Sequence, residues 1–188
     1  MRHRRLPLPA LMLLLALHAR AADDAAAAPP APPACTIVLG QGRNVAEADG
    51  EANKLWDNVN LAFNSEVAAQ LKQAGVNVVA LVLRVTATDL QGNVQKLLAR
   101  AAADHCVGIV ETTVFADYAA ATLVARIRDY PLVADTAGGG GNGPLLRIGA
   151  PRYVVERNFQ LTRSTLDRVR PAALGAEMAK ELIEQAPR

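Results

Sequence analysis

Few side chains in this 188-residue sequence are of the types that perform nucleophilic or general-base catalysis. Past residue 21 there is one histidine, His105, and there are two serines, Ser65 and Ser164. A serine–histidine–aspartate triad would have to use His105, which the apolar pattern places at a helix end. Ser65 falls inside a predicted helix, and Ser164 is better placed as a helix cap. The sequence therefore does not predict a catalytic triad.

Three carboxylates, Asp89, Glu111 and Asp117, could in principle supply the acid pair that glycoside hydrolysis uses. Carboxylates at strand ends and turns are ordinarily solvated, however, and aromatic platforms for a sugar are scarce, at 4% of the chain. One histidine and two cysteines also leave too few ligands for a zinc site. We expect a protein that is not an enzyme and that holds no metal or cofactor.

Two glycine-containing segments resemble nucleotide-binding loops only in part. Gly40-Gln41-Gly42 follows a predicted strand, but Val45 stands where a dinucleotide fingerprint requires its third glycine. The run 138–143 has no Lys-Ser/Thr after it, so it is not a phosphate-binding P-loop. A turn and a mobile hairpin loop are the structures predicted for these segments.

Cys35 and Cys106 are the only cysteines. An isolated pair in an exported protein is typical of a structural disulfide. This bridge would close a loop of about 70 residues and contribute roughly 4 kcal/mol in the chain-entropy model. The alternative is a nucleophilic Cys106 activated by the adjacent His105, but no Cys-x-x-Cys is present to resolve it. We predict the structural bridge.

The first 21 residues predict an export signal. A basic start at residues 2–5, an apolar run at 11–17 and the small-x-small site Ala19-Arg20-Ala21 are the three parts of a secretory signal peptide. The run is shorter than the roughly 20 residues that cross a bilayer. No cysteine follows it closely, which argues against a lipoprotein. We expect cleavage near Ala22, a periplasmic location and no stable membrane insertion.

Removing residues 1–21 takes away four of the 20 basic residues and none of the 18 acidic ones. The remaining chain carries 16 basic and 18 acidic residues. A nearly neutral surface gives no electrostatic reason to expect nucleic acid or anionic lipid as a partner.

Residues 22–34 are rich in alanine and proline and predict a flexible leader, and residues 35–188 predict a single domain. Within it, apolar spacing alternates between helical and strand periods. The predicted order is β-α-β-α-β-β-β-α, an α+β domain with a two-layer mixed sheet and helices packed on one face. The predicted strands are 36–39, 76–85 (buried on both faces), 107–115, 123–129 and 153–161, and the helices are 55–74, one from 92, and one from 164 that Pro171 divides.

Arginines concentrate in the second half of the chain, on strands with one polar face. In 123–129, Arg126 and Arg128 alternate with Leu123, Ala125 and Ile127. Such arginines are commonly only solvated. The alternative is a partner-docking face formed by Arg126, Arg128 and Arg157, with Arg147 and Arg152 nearby.

The element order, the signal peptide and the closing stretch 159–182 resemble the small periplasmic α/β modules related to the N-terminal domain of the translocation protein TolB. They are also similar to the domains of curli-secretion and polysaccharide-secretion lipoproteins. The resemblance implies an assembly, docking or pore-forming component of an envelope machine. The chain lacks a lipid-attachment cysteine, so membrane tethering does not carry over, and no functional residue transfers.

These observations predict a non-enzymatic periplasmic binding or assembly module that acts on another cell-envelope protein. The alternative is a periplasmic inhibitor or immunity protein that blocks a toxin or hydrolase.

Overall fold

The computed structural model describes residues 34–46, 48–135 and 145–185, and the structural statements below concern those ranges. The predicted signal peptide, nearly all of the predicted leader and the glycine run 138–143 lie outside the described residues. The elements in chain order are β1 (Cys35–Gln41), α1 (Gly50–Gln73), β2 (Asn77–Leu83), α2 (Leu90–Ala103), β3 (Cys106–Asp117), β4 (Thr122–Asp135), β5 (Leu145–Ile148), β6 (Tyr153–Gln160), α3 (Thr165–Val169) and α4 (Pro171–Gln185).

The strands form one mixed sheet, which confirms the predicted α+β class. β1 lies between β2 and β3 and is parallel to both. β3 pairs antiparallel with β4, and β4 pairs antiparallel with β5 and then β6. β5 was not predicted from the sequence, because a strand of four residues is too short to show a period of two. Gly40 and Gln41 lie within β1, so the turn predicted there is wrong.

Apolar side chains cover both faces of the sheet. Val38 of β1 belongs to a cluster with α1 and α4 on one face. Its neighbours Ile37 and Leu39 belong to a second cluster with Leu97 and Ala101 of α2. Successive residues of a strand point to opposite faces, so α2 lies opposite α1 and α4. The prediction that the helices cover one face therefore holds for α1 and α4 and is wrong for α2.

β2 is an edge strand rather than the strand buried on both faces that the sequence predicted. It pairs with β1, and no other described strand pairs with it. Each of its residues is partly buried or exposed, and the Val82 side chain is 38% exposed. A continuous apolar run fits a central and an edge strand equally well, because the sequence does not record how many neighbours a strand has.

The helix boundaries follow local signals. Asp49 caps α1 by accepting from the backbone N–H of Ala52 at 2.9 Å. Gly75 follows α1 with φ of +86°, a conformation that glycine adopts without strain. Pro171 is the first residue of α4, as the predicted division of the last helix requires. The Ser164 hydroxyl makes no capping hydrogen bond, so the side-chain cap predicted at Ser164 is wrong.

Side-chain amides complete the sheet where β1 ends. β1 stops at Gln41, whereas β3 continues to Asp117. Buried Asn60 of α1 donates to the carbonyl of Val114 at 3.0 Å and accepts from its N–H at 2.8 Å. Asn44 makes the same pair of bonds with Ala116, at 3.3 and 3.0 Å. Backbone groups that would lack partners inside the protein are thereby satisfied.

α1 and α4 approach each other closely at Gly175. A Cβ atom at this position would lie 2.7 Å from the carbonyl oxygen of Phe63. Only glycine permits this contact between the two helices without a shift of the backbone. No helix in the described ranges is long and apolar enough to cross a membrane.

Candidate functional site

Cys35 and Cys106 form a disulfide, as predicted. They are register partners at the start of the parallel strands β1 and β3, and both are buried. The bond leaves no free thiol at Cys106 to act as a nucleophile. His105 is exposed in the turn before β3, with φ of 57°.

The three carboxylates considered for catalysis have separate roles. Asp89 caps α2 by accepting from the N–H of Gly92 at 2.8 Å. Asp117 accepts from the N–H of Ala120 at 3.0 Å in the turn between β3 and β4. Glu111 lies within a network of polar side chains on β3. The described part of the chain contains no group of three or more His, Cys, Asp or Glu side chains placed to hold a metal ion.

The half of the sheet formed by β3, β4 and β6 carries charged side chains on the face opposite α1 and α4. The register places Arg126 between Thr113 of β3 and Glu156 of β6, and it places Arg128 beside Glu111. Below, the polar face means the side chains of Arg43, Glu111, Thr113, Phe115, Arg126, Arg128, Tyr130 and Glu156.

One part of the polar face is a closed hydrogen-bond network around Glu111. Gln41 donates to one carboxylate oxygen at 3.1 Å, and the hydroxyl of Tyr130 donates to the other at 3.2 Å. Arg128 donates to the Tyr130 oxygen at 3.2 Å and forms an ion pair with Glu111 at 3.6 Å. The hydrogen bond to Tyr130 and the charge of Glu111 outweigh burial and raise the pKa of Arg128. This arrangement fixes Glu111 and Arg128 in place.

Arg126 is held less completely. Its side chain is 13% exposed, and its single ion pair, from Nη1 to Glu156, is 3.5 Å long. Nε and Nη2 are buried and have no hydrogen-bond acceptor among the described residues. Burial, followed by the charges of Arg128 and Arg43, lowers the pKa of Arg126. Two nitrogens of this guanidinium therefore lack acceptors, and the one ion pair within the described residues is the 3.5 Å contact with Glu156.

Phe115 brings two arginines together on the polar face. The guanidinium carbons of Arg43 and Arg126 each lie 5.3 Å from the centre of its ring, within the range of a cation–π contact. An open cavity of about 440 Å³ adjoins this position and is lined by Phe115, Asp117, Arg126, Glu156 and Asn158 among others. The guanidinium of Arg126, whose Nε and Nη2 lack acceptors, therefore lies in the wall of a space that another molecule can enter.

Arg157 does not share this face, contrary to the prediction. It pairs with Ala125 in the register and is on the α1 and α4 side of the sheet, where it contacts Glu181 of α4. Alternate residues of a strand share a face, so Arg157 belongs with Val155 and Phe159. The sequence alone was therefore enough to exclude Arg157 from the polar face. Arg152 is bound by both carboxylate oxygens of Asp129, and Arg147 lies on β5.

A larger groove of about 700 Å³ lies between β6 and the helices α3 and α4. Its two cations already have partners: Arg157 contacts Glu181, and Arg168 donates to the hydroxyl of Thr162 at 2.9 Å. On the same side, burial and the nearby Glu181 raise the pKa of Tyr153. Unlike Arg126, neither arginine of this groove has a buried nitrogen without an acceptor.

The sequence analysis missed two members of the polar face. Arg43 lies in an irregular segment after β1, where no periodicity assigns a direction to its side chain. Phe115 alternates with the apolar residues Val114 and Ala116 of β3, so it could have been assigned to the polar side of that strand.

No family model matches the chain, and no curated protein matches it. Solved structures that are similar to it include the following two. PelC from Paraburkholderia phytofirmans, solved as a dodecamer, is 13% identical, with 82% of this chain and 90% of that chain covered and a TM-score of 0.37. The hypothetical protein CT253 from Chlamydia trachomatis is 11% identical, with 81% and 95% covered and a TM-score of 0.37. Likeness at this level assigns no family, and the resemblance to the N-terminal domain of TolB is not confirmed.

Proposed function

We propose that this domain is a non-catalytic binding module of the periplasm, and that it holds an acidic segment of another cell-envelope protein against the polar face. The observation that carries the proposal is Arg126, whose buried Nε and Nη2 have no acceptor within the described residues. A carboxylate from a partner, reached by a small rotation of the guanidinium, supplies the missing acceptors and adds a second negative charge to that of Glu156.

Two further observations support the proposal. The disulfide between Cys35 and Cys106 suits an oxidising compartment, which agrees with the predicted export signal. The carboxylates considered for catalysis are engaged in capping or in the Glu111 network. If the acidic segment belongs to a toxin or a hydrolase, the same contact makes the domain an inhibitor, so the identity of the captured protein separates the two roles.

The proposal is tested with a photoreactive amino acid at Asn158, an exposed residue in the cavity wall. Asn58, an exposed asparagine of α1, is the matched control position. In cells that export the full chain, we expect a discrete cross-linked protein at 158 and none at 58. Mass spectrometry of that product then distinguishes an envelope component from a toxin or hydrolase.

Charge variants of the same chain show whether the arginines make the contact. Arg126→Gln removes the guanidinium of Arg126, and Arg43→Glu reverses an exposed charge, so each should reduce the cross-link at least several-fold. Lys72→Glu, at an exposed lysine in the last turn of α1, is on the other face of the sheet and should leave the cross-link unchanged. If folded Arg126→Gln and Arg43→Glu proteins cross-link as the unaltered protein does, the polar face does not hold the partner.

A further inference from the structure

Among the described strands, β2 lies at one edge of the sheet. This strand pairs with β1 on one side, and no described strand pairs with its other side. Its sequence from 77 to 83, Asn-Val-Val-Ala-Leu-Val-Leu, contains no charge, no proline and no bulge against β1. Natural edge strands usually carry such features because they prevent pairing with another chain.

The opposite edge of the sheet is protected in this way. β6, the outer neighbour of β4, carries Glu156 and Arg157 near its middle, and both are charged. The difference between the edges shows that β2 lacks the usual protection, whereas β6 has it.

The apolar surface continues from β2 onto α1. In the register with β1, Ala80 pairs with Val38 and so lies on the α1 side of the sheet, as does Val82. Both are exposed. Asp57 of α1 accepts from the N–H of Val85 at 2.8 Å, just past the end of β2. Leu61 follows Asp57 by one helical turn and is 49% exposed, so it lies on the same side of the helix.

We infer that β2 is a self-association edge, where two copies of this chain pair antiparallel about a two-fold axis at Ala80. The sequence around Ala80 is nearly symmetrical: the axis pairs Val78 with Val82, Val79 with Leu81, and Ala80 with its own counterpart. A two-fold contact requires a surface that complements itself. With no charge from Asn77 to Leu83, no like charges oppose each other.

The axis also places both copies of α1 on the same side of the joined sheet, because a two-fold axis normal to the sheet keeps the same face up in both copies. The paired β2 strands and the apolar side chains that flank them make an interface at the lower end of the size range, no more than about 1,200 Å² in total. We therefore expect a dimer at micromolar concentration.

Sedimentation equilibrium of the mature chain over about 1–200 μM, a range set around micromolar affinity, measures the dissociation constant of the dimer. Ala80→Lys places two like charges opposite each other at the axis and should raise that constant about tenfold or more. Val154→Lys, at an exposed valine on the opposite edge, is the matched control and should not change it. Circular dichroism and an intact native disulfide establish that each variant is folded.

Register is tested by cross-linking single cysteine variants. Ala80→Cys should form an intermolecular disulfide with its own counterpart, while Val82→Cys, whose predicted neighbour is Val78, should not. The inference is wrong if the protein is a monomer throughout the concentration range or if Ala80→Lys leaves the dimer unaffected. It is also wrong if the protein forms an assembly larger than a dimer. These outcomes do not depend on the polar face, so they leave the proposed function to its own test.

Discussion

Two side-chain amides, buried Asn60 and half-buried Asn44, take the place of a strand in this protein. Where β1 ends, Asn60 and Asn44 satisfy the N–H and C=O groups of Val114 and Ala116 on β3. Asn60 also donates to the carbonyl of Trp56, so its two amide hydrogens and its oxygen are all used. Leaving a buried backbone group without a partner costs about 1–3 kcal/mol. These residues therefore fix where α1 lies along β3.

Asn60→Ala should lower the free energy of unfolding by about 2–4 kcal/mol, because it leaves two backbone groups of Val114 unpaired and opens a small cavity. Asn58→Ala, an exposed asparagine of the same helix, should change it by less than about 0.5 kcal/mol. Urea unfolding followed by circular dichroism measures both. Equal effects of the two substitutions would show that the Asn60 bonds are not stabilising.

At the scale of helices and strands, the elements that have a local signal were predictable. Gly75 and Pro171 gave the end of α1 and the start of α4, and the apolar spacing of α1 placed Val59, Phe63 and Val67 in the core. The predictions that were wrong concern features that depend on contacts between residues distant in the sequence. The edge position of β2 and the opposite side taken by α2 follow from strand order, which periodicity does not encode.

The candidate site was predictable only in part, for the same reason. The period of two placed Arg126 and Arg128 on one face of β4. The same alternation along β6 would have excluded Arg157 from the polar face. Arg43 reaches the polar face from an irregular segment, and only the three-dimensional structure places it over Phe115.

The crossing of α1 and α4 provides a test at this scale. Gly175→Ala should reduce the free energy of unfolding by about 1–3 kcal/mol, since the added methyl group meets the carbonyl oxygen of Phe63 and forces the helices apart. Gly50→Ala is the matched control: a Cβ there meets nothing within 4 Å, so the substitution should be neutral or slightly stabilising. Thermal unfolding of both variants measures the difference, and a Gly175→Ala protein as stable as the parent would contradict the close contact.

For the whole domain, the disulfide joins the two central parallel strands at their first residues. It encloses α1, β2 and α2 in a loop with a sequence separation of 71 residues. A loop of this length implies that the bond stabilises the fold chiefly by restricting the unfolded chain. The two apolar clusters lie on either side of β1, so they share the strand at which the bond is made.

Reducing the bond should lower the free energy of unfolding by about 4 kcal/mol. The Cys35→Ala/Cys106→Ala double variant should behave like the reduced protein, which separates loss of the bond from side reactions of free thiols. Urea unfolding with and without reductant gives the values, and the oxidised protein should weigh two daltons less than the reduced one. A change below about 1 kcal/mol would mean that the unfolded chain is already restricted by other means.

The position of the bond also determines how the domain bears tension. A pull applied through the segment before β1 enters the domain at Cys35, and the disulfide passes it directly to Cys106 on β3. α1, β2 and α2 then lie outside the path of the force, because they belong to the loop that the bond closes. Once the bond is reduced, the same pull must shear β1 from β2 and β3 together, because it is parallel to both. The redox state of one cysteine pair thus decides which half of the chain carries mechanical load.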